Sequence, residues 1–91
     1  MRVRYPPNAL EALWRVEQYL SRRFSSREVD VLYDLMGKFE DTVSVAPETY
    51  PIDPRKSLAR RAVIHHRMIF VYEINDDEII VTDAWDTRQD R

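Results

Sequence analysis

From Val29 onward the residues Val29, Leu32, Met36, Phe39 and Val43 recur at intervals of three, four, three and four. That rhythm puts all five on one face of an α-helix. After the breaker-rich stretch APETYPIDP it gives way to segments dense in Val, Ile, Phe and Tyr, the composition of β-strands. A helix with one apolar face needs a surface to cover it, and the later strands supply one. The change of period therefore predicts an α+β fold with helices on one face of a sheet.

The first half supplies a second helix. In ALEALWRVEQYLSRRF, residues Ala9, Leu13, Val16, Leu20 and Phe24 form an inward stripe flanked by Trp14 and Tyr19. Asn8 with Glu11, and Ser25 with Glu28, have the spacing of capping boxes and predict the two helix starts. Two helices with so short a connection form an antiparallel hairpin. Gly37, the sole glycine, is expected to permit a close helix contact. Ahead of the hairpin, MRVRY alternates Met1, Val3 and Tyr5 with Arg2 and Arg4, predicting a short edge strand that Pro6 and Pro7 end.

In the second half, a two-residue turn at Asp76 and Asp77 sets Ile74 opposite Ile79, Tyr72 opposite Val81 and Met68 opposite Trp85, with Arg67 facing Asp86 on the other side. A further strand over 60–65 turns through His65 and His66 into Arg67. The expected fold is a short N-terminal strand and a two-helix hairpin packed on a small antiparallel β-sheet. It forms a single domain over residues 1–91, because 91 residues with 44% apolar content suit one modest core. With no cysteine, that core is held by packing alone. The start MRVRYPP lacks the apolar segment of a signal peptide and no run is long enough to span a bilayer, so a cytoplasmic protein without a membrane partner is expected.

The formal net charge of −2 argues against the protein as a whole being a nonspecific nucleic-acid binder, yet the segment RKSLARRAVIHHR gathers Arg55, Lys56, Arg60, Arg61 and Arg67 with His65 and His66 and no acid, a local patch that could bind phosphate. It can attract phosphate or an acidic partner, or simply keep a sheet edge solvated. The adjacent histidines titrate near neutrality and are candidate proton carriers, although neighbours on a strand face opposite ways. Neither has a companion at helical spacing, so no metal site and no cofactor are expected. In the ending DAWDTRQD, Trp85 suits a core or a binding face, while Asp83, Asp86 and Arg88 form either a structural ion pair or a held functional cation.

The element order, with ARRAVIHHRMIFVYEI and IIVTDAWDTRQD, resembles the RelE/ParE superfamily of toxins from bacterial type II toxin–antitoxin systems. The likeness runs over nearly the whole chain and is nearest to the ParE-like branch, whose ending reads aromatic-Asp-X-Arg-Gln. The resemblance implies a growth-inhibiting toxin with a cognate antitoxin as partner. It also implies either DNA gyrase or the translating ribosome with its mRNA as target. A ribosome-dependent mRNA endoribonuclease of this kind would use Arg67 and Arg88 for charge stabilisation and His66 for proton transfer. Arg55, Lys56, Arg60, Arg61, His65 and Trp85 would bind RNA or a partner. That family pattern has an arginine where this chain has Ile69, and no tyrosine follows Arg88 before Arg91. Both departures favour a non-catalytic, gyrase-type inhibitor. An inactivated member that only binds its antitoxin is the third alternative.

Overall fold

The computed structural model describes residues 1–88; Gln89, Asp90 and Arg91, which complete the ending used in the comparison above, lie outside the described residues. The elements run β1 (Arg2–Arg4), α1 (Pro7–Arg23), α2 (Ser26–Val45), β2 (Ile52–Asp53), β3 (Lys56–His65), β4 (Met68–Asn75) and β5 (Glu78–Asp86). The five strands form one sheet in the order β1-β5-β4-β3-β2. The sheet is mixed, which corrects the antiparallel expectation: β1 runs parallel to β5, with Val3 beside Ile79. A parallel neighbour requires a long crossover, and everything between β1 and β5 provides it. The strand β2 was unforeseen, since Pro51 and Pro54 bracket it and confine it to an edge.

Both helices bury the stripes that their periods dictate. Ala9, Leu13, Val16 and Leu20 of α1 and Leu32, Met36, Phe39 and Val43 of α2 pack on Ala62, Met68, Phe70, Tyr72, Ile79 and Val81 of the sheet. At the centre, the Phe39 ring meets Phe70 and Tyr72 edge-on, each with centroids 5.5 Å apart. Phe24 departs from expectation. It caps α1 and stays 55% exposed, because the helix ends before the stripe can continue inward. Gly37 also departs, since a Cβ there would meet nothing within 4 Å, so no close contact demands the glycine.

Neither capping box forms. Pro6 precedes α1 without a side-chain cap, and the Asn8 side chain instead donates to the Thr82 carbonyl at 3.1 Å. Ser25 makes no side-chain cap on α2, and Glu28 turns to His65. In both places a tertiary partner wins the polar side chain from the local one.

Two irregularities decide which residues face the helices. The β4–β5 hairpin begins as predicted, Ile74 opposite Ile79 and Tyr72 opposite Val81, with Asp76 at φ 51° in the tight turn. A bulge then leaves Thr82 without an opposite residue, so Val71 pairs with Asp83, Ile69 with Trp85 and Met68 with Asp86. One extra residue exchanges the faces of all that follow. The expected Met68–Trp85 and Arg67–Asp86 pairs are thereby replaced, with Trp85 turned to the face away from the helices and Asp86 turned inward, 4% exposed. A second shift between Val63 and His65 sets His65 opposite Met68, on the helix side.

Candidate functional site

The basic segment 55–67 does not become one patch. The ten-residue strand β3 spans roughly 33 Å, with Arg55 in the turn before it and Arg67 in the turn after it. Lys56 pairs with Glu73 at 3.0 Å. Arg60 donates to the carbonyls of Glu48 and Tyr50 at 3.1 and 2.8 Å, holding the linker over the core. Arg61 lies on the face opposite the helices with its guanidinium carbon 5.4 Å from the Trp85 ring centre, so these two form a half-buried aromatic–cation pair on the open face.

Tertiary structure collects a different set at the end of the sheet where β3 turns into β4. Thr87 donates its amide to the Arg67 carbonyl at 3.2 Å and its hydroxyl to the His66 carbonyl at 2.6 Å, which places Arg88 beside that turn. The Arg88 guanidinium carbon lies 3.3 Å from the centre of the Tyr19 ring of α1, and that of Arg67 lies 5.5 Å from the same ring. The Arg67 Nε is buried with no hydrogen-bond partner among the described residues. Arg88 donates to Asp86 through its amide at 2.9 Å, through Nε at 2.6 Å and through Nη2. Burial alone would raise the Asp86 carboxyl, but the hydrogen bonds and charge of Arg88, with Arg67 nearby, hold it below the usual carboxylate range. The bond to Asp86 keeps Arg88 charged, and it also occupies two donors on one edge of the guanidinium.

The histidines do not face opposite ways, because the bulge and turn intervene. Their rings stack, with centroids 4.2 Å apart and planes 27° from parallel. His65 is 4% exposed and His66 is exposed. The His65 Nδ1 accepts the Arg67 amide at 3.0 Å, so that nitrogen carries no proton in the neutral ring and Nε2–H faces Glu28 Oε1 at 3.0 Å. Glu28, His65 and His66 bring three ligand-type atoms within 4.8 Å of one another. The geometry nevertheless opposes a cation. A metal on Nε2 would move the proton to Nδ1, against an amide N–H, whereas ligating histidines donate their second nitrogen outward. The cluster is a clamp joining the first turn of α2 to the β3–β4 turn.

Sequence reasoning missed the outer surface of α1, where Trp14 is 58% exposed beside Arg22 and Arg23. The interleaving of aromatics and arginines in WRVEQYLSRRF was the available signal. No protein-family model matches the chain, and no curated protein matches it significantly. No helix among the described residues is long and apolar enough to cross a membrane.

Proposed function

We propose that this chain is the toxin of a type II toxin–antitoxin system, similar in arrangement to the ParE-like branch of the RelE/ParE superfamily. In this reading it acts in the cytoplasm, inhibits growth by binding a cellular target such as DNA gyrase, and is neutralised by a cognate antitoxin. Supporting the family reading is the order of a short edge strand, a helical hairpin and a three-stranded antiparallel run with Arg88 just after its last strand.

The observation that carries a binding role rather than a catalytic one is the engagement of the candidate chemical groups. His65 uses both ring nitrogens internally, and Arg88 is held by Asp86. A proton carrier needs a nitrogen within reach of substrate; of the two histidines only the exposed His66 offers one. The ribonuclease reading draws on one observation of its own, the convergence of Arg67 and Arg88 on Tyr19.

Two assays on the purified protein separate the readings. In a gyrase supercoiling assay the expected result is loss of supercoiling with accumulation of cleaved DNA, while message on translating ribosomes stays intact. Cut message, abolished by Arg67→Ala and by Arg88→Ala, would replace the binding reading with the ribonuclease. Inactivity in both assays would overturn the gyrase-type inhibitor.

A further inference from the structure

On the outer face of α1 two rows of side chains run side by side at helical spacing: Trp14, Gln18 and Arg22, and next to them Arg15, Tyr19 and Arg23. Together they line a shallow cavity of about 520 Å³. Trp14 on its lining is 58% exposed, and Phe24, just outside the cavity, is 55% exposed with its ring edge-on to Tyr19 at 6.2 Å.

The charges along this groove are sorted by hydrogen bonding. Glu11 neutralises Arg15 at 2.6 Å, and Glu17 is turned to the seam with α2 by the Tyr33 hydroxyl. Arg22 and Arg23 are exposed and have no partner among the described residues, and Arg27 just beyond the corner is likewise exposed and unpaired. Positive charge therefore concentrates at the end of the groove beside the exposed Phe24.

The geometry points to a binding site for single-stranded nucleic acid along α1, in which Trp14 and Phe24 stack on bases and Arg22 and Arg23 contact phosphates. Two exposed rings with unpaired guanidinium groups between them match that ligand, because every base has a stacking face and every linkage a charge. A duplex keeps its bases stacked internally and would leave the rings unused. An acidic peptide would use the arginines but gives the exposed rings no equivalent role. This site is separate from the open sheet face carrying Arg61 and Trp85 and does not depend on how growth is inhibited.

Fluorescein-labelled oligo(U) and oligo(dT) titrated with the full chain, read by anisotropy over a salt series, test the proposal. Both oligomers should bind, with tryptophan quenching and a log–log salt slope of about −1.4 for two phosphate contacts. Arg22→Glu with Arg23→Glu should abolish binding, and Trp14→Ala should weaken it about tenfold. Trp14→Phe should restore much of the affinity at an unchanged melting temperature, because Trp14 is exposed; Arg22→Ala with Arg23→Ala should lose binding as the Glu pair does, without setting negative charge against the C-terminal end of α1. Equal affinity for the two oligomers, or a preference for oligo(U), both fit the site and tell whether the 2′-hydroxyl is read. No binding at low salt, parental affinity in the double variant, or tighter binding of a poly-glutamate peptide than of either oligomer would overturn it.

Discussion

Asp86 illustrates how much hangs on single residues here. Its carboxylate is buried and takes three donors from Arg88. Because its folded pKa is lowered, it stabilises the fold above the unfolded value of about 4 and loses that contribution as pH falls toward the folded one. Thermal melts of the parent and Asp86→Asn from pH 7 to pH 2 should therefore show a gap in melting temperature at neutral pH that narrows below about pH 4. Arg88→Ala should cost about 1–2 kcal/mol in urea unfolding, less than a fully buried pair because the Arg88 side chain is 37% exposed and screened by solvent. Gly37 gives the opposite sign. With open space around a would-be Cβ in mid-helix, Gly37→Ala should raise stability by about 1 kcal/mol, readable as a higher urea midpoint at unchanged slope.

Among the elements, the contacts that sequence spacing did not anticipate join parts distant in the chain. The Glu28–His65–Arg67 chain of hydrogen bonds couples the start of α2 to the β3–β4 turn. His65→Phe keeps the ring volume but strands the Arg67 amide and Glu28, and should cost about 1–3 kcal/mol. Glu28→Gln retains an acceptor and should cost less than about 1 kcal/mol; equal losses in the two variants would refute the clamp. At the opposite end, the Tyr72 hydroxyl donates to the Pro47 carbonyl at 2.6 Å and Arg60 takes two more linker carbonyls. Arg60→Ala should speed amide hydrogen exchange across residues 48–52 while leaving the helices protected, since the lost bonds tie down only that linker.

On the scale of the molecule, one apolar cluster joins both helices to β3, β4 and β5. A chain of 91 residues has about 5–14 kcal/mol of stability, and Phe39→Ala should remove about 3–5 of it. Tryptophan fluorescence and far-UV circular dichroism should trace the same urea transition, because α1, which carries Trp14, and β5, which carries Trp85, are joined through one core. The two helices, their buried stripes and the β4–β5 turn were legible because they follow from local periodicity and from short-range turn chemistry. Val29 to Val43 can hide their side chains in one way only, and Asp76-Asp77 closes a hairpin between neighbours. The parallel seat of β1, the unpaired Thr82 and the inward Asp86 carried no such local signature, for a bulge is one residue of length absorbed where distant surfaces must match. The same holds for the candidate sites. Residues 55–67 look like one basic patch when read along the chain, but a strand of that length separates its ends, while helix and turn geometry bring Tyr19, Arg67 and Arg88 together from three regions. Sequence alone determined the two helices, the main strands and most of their apolar faces, because those depend on period; only the tertiary structure decided the edge strand β2 and which charges meet, because those depend on register.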